Sequence, residues 1–368
     1  MFSAFDHVMM ARAINLAERG RGIATPNPHV GCVIVNAGRI VGEGFTQHGG
    51  RPHAEAMALQ QAGSQAQGAT VYSTLEPCSH HAESRGPACA DLLIKAKVAR
   101  VVTAIHDPNI VIDGRGHAEL DAAGIKLEIG LMQVLVQEQL KAFLSRVTRH
   151  RPWVTLKLAA SIDGKTALGN GESKWITSAE ARRDVHALRA KACAVMTGIG
   201  SALADDPALT VRDAPCVRQP RRVLLDSRLD VRDDMQLVTG GNTLIITATG
   251  SAAREADLKN KGIDVLRLPT EAIKGKVDLV AMMQILATKK LNHILVETGA
   301  KLNGSLLAAG VVDEIILYTA PDILGEGARG LFAMHELSDL AQRYTVNITD
   351  TRMVGRDQRI TANLIGKN

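Results

Sequence analysis

Apolar and polar positions follow two periods in short runs along the chain. From Ser3 the period is helical: Phe5, Val8, Met9 and Leu16 share one face, and Ser3 with Asp6 has the form of a capping box, so an opening helix is expected. The prolines of "TPNPHVG" forbid helix. "VGCVIVNAGRIVGEGF" reads as two strands joined by a tight Asn-Ala-Gly turn. His53 then opens a short helical pattern ending near Gly63. "ATVYSTLEP" is a β-rich run stopped by Pro77, "CADLLIKAKVA" a helix and "RVVTAIHDP" a strand. Strand, helix and strand in this order predict a βαβ unit with parallel pairing.

A helix expected over 131–148 leads to "RHRPW", a basic joint broken by proline. The domain boundary is placed there, giving domains 1–150 and 151–368. Beyond it strands are expected at 153–160, 194–198, 222–226, 243–247, 264–268, 293–297 and 314–318. Helices are expected at 178–191, 277–289 and 304–309, with strand-like segments after Tyr344. Both halves therefore read as α/β.

Composition narrows the class. With 46% hydrophobic and only 3% aromatic residues, the cores must rest on Val, Ile, Leu, Met and Ala. No apolar run approaches the roughly 20 residues of a membrane helix, and the N-terminus lacks the pattern of a signal peptide, so a cytoplasmic protein without a membrane partner is expected. Five cysteines, an odd number in a long chain, argue for reduced thiols, some of them ligands or nucleophiles. A net charge of +5 is too mild and dispersed to imply nucleic acid, and it suits small anionic substrates.

The chemistry concentrates in two places. His53-Ala54-Glu55 followed by Pro77-Cys78 has the form H-x-E…P-C of zinc deaminases, with Cys89 as the next cysteine and ten residues between rather than two. Zinc lowers the pKa of bound water to about 7, and a carboxylate that is not a ligand can carry the proton. His53 and Glu55, two apart on a helix, point in different directions, so one can bind metal while the other faces substrate. A purely structural zinc is the bland alternative, and Cys32, Cys193 and Cys216 read as ordinary core or surface residues. In the second half, Gly198 and Gly200 lack the third glycine of a Rossmann fingerprint. "HILVETGAKLNGSLLAAG" is a better phosphate site, with a strand ending at Glu297, close approach at Gly299 and a helix after Asn303. Lys157, between Leu156 and Leu158, either points to solvent or faces inward for use.

The series "TPNPHVGCVIV", "GEGFTQHGGRPHAE", "TLEPCSHH", "DPN", "KLAASIDGKTA", "GESKWITS", "ADDPALTVR" and "VETGAKLNGSLLAAG" runs nearly the whole chain. It resembles the bifunctional deaminase–reductases of riboflavin biosynthesis. The resemblance implies a cytidine-deaminase-like α/β/α domain followed by a dihydrofolate-reductase-like α/β domain. It implies one zinc on His53, Cys78 and Cys89, Glu55 as proton shuttle and Asn27 on the pyrimidine. It also implies NADPH at Ala159, Trp175, Ser201, Asp205 and the turn Gly299, Ala300, Lys301, Leu302, Asn303, Gly304 and Ser305. Substrate contacts are implied at Ser173, Arg189, Leu209, Arg212 and Glu297, with Lys157 near the reacting sugar. Two arginines suit a ribose phosphate. The implied partner is a small pyrimidine ribose phosphate, and the oligomeric state stays open.

His80 and His81 compete with Cys89 as ligands, being nearer to Cys78. Cys89 is preferred because it opens a helix, where the dipole favours thiolate, and His80 then faces the substrate or backs a ligand while His81 faces solvent. Two other classes are weighed. A nucleic-acid deaminase would want stacking aromatics, and the chain has ten in all. A zinc-stapled scaffold leaves Glu55 without a purpose.

Overall fold

A computed structural model of the chain describes residues 1–79, 86–109, 113–268 and 275–365. It divides into two compact units, Met1–His150 and Arg151–Asn368. His80 and His81, and with them the roles expected of them, lie outside the described residues.

The first unit opens with α1 (Ala4–Gly20), where Ser3 and Asp6 make the expected capping box. The hairpin of β1 (Gly31–Asn36) and β2 (Arg39–Phe45) turns on Ala37 and Gly38, both at positive φ. There follow α2 (Ala54–Ala62), β3 (Thr70–Leu75), α3 (Cys89–Lys95), β4 (Arg100–Ile105), α4 (Arg115–Ala122), β5 (Lys126–Ile129) and α5 (Gln133–Thr148). The sheet order is β2-β1-β3-β4-β5. β1 is antiparallel to β2 and β3, whereas β3, β4 and β5 are parallel, so the expected βαβ unit is present.

The face expected of α1 is corrected. Phe5 and Val8 are exposed, and the buried side consists of Asp6, Met9, Met10, Ala13, Ala17 and Gly20. Two contacts select it. A Cβ on Gly31 would lie 1.9 Å from the Ala13 carbonyl oxygen, so helix and strand meet backbone to backbone and only small residues fit. Asp6 is needed inside, where it accepts from Tyr72 (2.8 Å) and Arg100 (2.7 Å). The same close packing seats α2 on β2: a Cβ at Gly44 would lie 2.1 Å from the Ala54 carbonyl oxygen. That contact sets the height of the α2 N-terminus.

The second unit runs β6 (Trp153–Ser161), β7 (Lys165–Ala167), α6 (Ala179–Lys191), β8 (Ala194–Gly198), α7 (Ile199–Asp205), β9 (Arg221–Leu225), α8 (Gln236–Thr239), β10 (Thr243–Thr247), α9 (Ala252–Asn260), β11 (Asp264–Arg267), α10 (Leu279–Thr288), β12 (His293–Val296), α11 (Ala300–Ala308), β13 (Glu314–Ala320), β14 (Arg329–Gly330), β15 (Val346–Val354) and β16 (Asp357–Leu364). Nine strands form one sheet in the order β11-β10-β9-β8-β12-β6-β13-β16-β15. Neighbours from β11 to β13 are parallel, and β16 and β15 add antiparallel. Its central strands are apolar on both faces: Leu156, Met196 and Ile246 pack with Met282 and Leu286, while Val195, Leu224 and Ile245 pack with Leu258. α11 begins at Ala300, four residues before the expected start, because Gly299 is its N-cap and Asn303 turns sideways, donating to the Leu331 carbonyl at 3.1 Å. No helix among the described residues is long and apolar enough to cross a membrane.

Candidate functional site

In the first unit three element ends meet. His53 caps α2, Cys78 follows the end of β3, and Cys89 is the first residue of α3. Nδ1 of His53 lies 3.4 Å from Cys78 Sγ and 3.3 Å from Cys89 Sγ. The Cys89 amide donates to Cys78 Sγ at 3.3 Å, and the Ala90 amide to the Cys78 carbonyl at 3.1 Å, so α3 is tied to the end of β3. The Cys89 thiol beside it, together with His53, holds the Cys78 pKa down to about 4 against the effect of burial. One nitrogen and two sulfurs, mutually within 4.8 Å, fit a tetrahedral zinc with its fourth position open.

Glu55 is buried in the first turn of α2 and is not among these donors. Its Oε1 lies 3.0 Å from Ser73 Oγ. That hydroxyl also donates to the Leu75 carbonyl at 2.9 Å. Burial, reinforced by Cys78, raises the Glu55 pKa, so the carboxyl can hold a proton at higher pH than an exposed one. Asn27 is exposed; its Nδ2 donates to the Gly49 carbonyl at 3.0 Å, steadying the turn that precedes His53.

The second unit encloses a cavity of about 1920 Å³ at the C-terminal ends of its parallel strands. Its walls include Lys157, Ala159, Ser173, Trp175, Arg189, Ser201, Asp205, Leu209, Arg212, Glu297, Gly299, Ala300, Lys301, Leu302, Asn303 and Ser305. Gly304 is the exception. It faces away, where a Cβ would lie 2.2 Å from the Ala333 carbonyl oxygen. The early start of α11 spends the Asn303 amide on Gly299 (3.1 Å), which leaves the amides of Ala300, Lys301 and Leu302 without an intrahelical acceptor.

Arg189 and Glu297 form a bidentate pair, with Nε–Oε1 at 2.5 Å and Nη2–Oε2 at 2.9 Å, and Nη1 of Arg189 donates to the Thr210 carbonyl at 2.9 Å. The guanidinium is thus engaged by protein. Among the described residues the Arg212 side chain makes one long contact, 3.4 Å to Thr210 Oγ1, and it stays exposed. Burial works against the Glu297 charge, and Arg189 overcomes it. Lys157 lines the cavity, and burial lowers its pKa, with Glu297 opposing. His186, a residue the sequence reading passed over, accepts the Arg212 amide at Nδ1 (3.2 Å), and its Nε2 lies 3.5 Å from Asp213. Its signal was the spacing of three to Arg189 on α6, which puts both on one helical face.

Fold and site together define a two-domain protein, a deaminase-type layer with a His-Cys-Cys donor set followed by a reductase-type sheet with a polar cavity. The pattern of the RibD C-terminal domain matches residues 152–360, and that of the cytidine and deoxycytidylate deaminase zinc-binding region matches residues 3–105. Riboflavin biosynthesis protein RibD of Escherichia coli (strain K12) is 45% identical over 373 residues, spanning 98% of this chain and 99% of its own. The RibD structure of Acinetobacter baumannii (form 1) superposes with a TM-score of 0.90 at 38% identity, covering 98% of this chain and 99% of that one. A diaminohydroxyphosphoribosylaminopyrimidine deaminase/5-amino-6-(5-phosphoribosylamino)uracil reductase from Thermotoga maritima does so at 0.84 and 31%, with the same coverage. The chain belongs to the RibD family.

Proposed function

We propose that the protein is a bifunctional enzyme of riboflavin biosynthesis. Its first unit hydrolyses the exocyclic amine at pyrimidine C2 of 2,5-diamino-6-ribosylamino-4(3H)-pyrimidinone 5′-phosphate, releasing ammonia. Its second reduces the ribosylamino group to ribitylamino with NADPH, giving 5-amino-6-(5-phosphoribitylamino)uracil. The observation that carries this reading is the convergence of His53, Cys78 and Cys89 with a buried carboxyl, Glu55, left outside the donor set.

Zinc, when bound by those three residues, supplies a water acidified to a pKa of about 7. Glu55 takes up the proton lost on addition to the ring and delivers it to ring nitrogen, then takes the proton of the new hydroxyl group and delivers it to the departing amine. Its raised pKa suits a group that must hold a proton and give it back. Asn27, at the turn before His53, orients the pyrimidine.

NADPH, when bound, supplies the hydride for the sugar C1. The free amides at the start of α11 take its diphosphate, and Ala159, Trp175, Ser201 and Asp205 flank it. Arg212 takes the substrate phosphate, and Ser173 and Leu209 line its approach. Glu297, held charged by Arg189, and Lys157 face the sugar. The partners of this reading are small molecules in the cytoplasm, where the cysteines stay reduced.

The test is incubation of purified enzyme with the pyrimidine phosphate and NADPH. Ammonia release followed by NADPH oxidation, with mass analysis finding the ribitylamino product, is expected. Ammonia release from a tRNA stem-loop, and none from the pyrimidine phosphate, would overturn the assignment.

A further inference from the structure

A second group of metal-ligating side chains converges in the first unit, apart from the His-Cys-Cys set: Glu76, His106 and His117. Strand register puts two of them side by side. β3 and β4 pair in parallel with Leu75 opposite Ile105, so Glu76 and His106, the next residues, leave the same edge of the sheet. The Glu76 amide still donates to the Ile105 carbonyl at 3.1 Å. The first turn of α4 brings the third. A Cβ on Gly116 would lie 1.9 Å from the Pro77 carbonyl oxygen, so this glycine lets α4 press onto the edge, and His117 follows it.

The Nδ1 atoms of His106 and His117 face each other at 3.0 Å, and Glu76 Oε2 lies 3.7 Å from each. Ligands about 2.1 Å from one tetrahedral cation stand roughly 3.4 Å apart, a spacing these three distances bracket. His117 Nε2 is 3.0 Å from Thr103 Oγ1, an outer hydrogen bond that turns the ring's Nδ1 inward, as the outer partners of metal-bound imidazoles do. The Glu76 side chain is fully buried, and its carboxylate accepts from the amides of Asp107, Gly114, Gly116 and His117. Among the described residues no Lys or Arg pairs with it.

We propose that Glu76 Oε2, His106 Nδ1 and His117 Nδ1 bind a second divalent cation of the zinc, cobalt and nickel class. Two imidazoles and one carboxylate select such a cation over calcium or magnesium. With no cation the two rings must share a proton between their Nδ1 atoms, and the cation takes that proton's place. Oε2 exchanges its longer amide bond, from Gly114 at 3.2 Å, for the metal. His106, with a side chain 57% exposed, gives the ion its route from solvent, and water completes its coordination. The bound cation ties α4 to the residue two places before Cys78, so it stabilises the first unit.

The test starts from enzyme carrying one zinc per chain and adds Co²⁺ by equilibrium dialysis, counting total zinc plus cobalt. Wild type is expected to reach two equivalents per chain, with a higher melting temperature on adding Co²⁺. His106→Ala and His106→Gln, changes at an exposed position, are expected to stop at one equivalent and to lose that thermal response. One equivalent in the wild type at saturating Co²⁺, or two in both variants, would overturn the proposal.

Discussion

At the scale of single residues, the two arginines of the reductase cavity have parted company. Arg189 is buried against Glu297, with 12% and 13% of their side chains exposed, so Arg189→Ala leaves a buried carboxylate without its cation. Breaking such a pair costs about 3–5 kcal/mol. Urea unfolding of this variant should register a loss of that size. Arg212→Ala should instead leave stability within about 0.5 kcal/mol and weaken substrate binding more than tenfold, from a lost charged hydrogen bond of about 1.5–3 kcal/mol. Equal effects of the two substitutions in both assays would refute the distinction. His186 holds Arg212 by its backbone. In His186→Leu the KM of the reductase substrate should rise several-fold, for a net hydrogen bond of about 1 kcal/mol, with kcat nearly unchanged. His186→Gln, which keeps an acceptor, should restore it. Burial and the Arg189 charge lower the His186 pKa, so Nδ1 stays unprotonated at neutral pH. The folded protein binds the proton less readily than the unfolded chain. This contribution is therefore complete above the ordinary histidine pKa of about 6.5 and is lost as pH falls below it. KM should be flat above that pH and rise only on the acid side.

At the scale of elements, the placing of α2 controls the metal centre. Gly44→Ala would set a methyl 2.1 Å from the Ala54 carbonyl, a backbone atom that cannot swing aside. α2 must lift, carrying His53 with it, at a cost of about 1–3 kcal/mol. Metal analysis should find zinc affinity reduced together with thermal stability; unchanged zinc binding in a folded variant would place the α2 contact outside the metal centre's support. The elements legible in sequence were those with a strong period and a clear stop. β3 ends at Leu75, two residues before Pro77, and the central strands of the second unit are apolar on both faces. The missed ones lack either mark. α4 buries only Gly116, His117 and Leu120, α9 buries only Leu258, and β5 is four residues long. α7 hid behind Gly198 and Gly200, which were weighed only against a Rossmann fingerprint, although the strand ends and the helix starts at that place.

At the scale of the molecule, two units with separate residue sets imply two separable activities. Glu55→Gln should abolish ammonia release and leave NADPH oxidation of deaminated substrate intact. Chelation of zinc should do the same in the wild type. Loss of both activities in a folded Glu55→Gln variant would refute the two-site reading.

The order of the chemistry-bearing residues along the chain was determined by the sequence alone. His53, Glu55, Cys78 and Cys89 are each tied to a local helix start or strand end, and local propensity and periodicity reveal such ends. What the tertiary structure decided is which distant groups occupy one another. The pairing of Arg189 with Glu297 and the hold of His186 on the Arg212 amide depend on how α6, packed on β13 through Ala181 and Val185 against Ile316 and Tyr318, carries its C-terminal half to the residue that follows β12. The meeting of Glu76 with His106 and His117 depends on the register of β3 against β4 and on how closely α4 approaches at Gly116. Register and helix-to-sheet distance are set by packing between segments far apart in sequence, so no local pattern carries them.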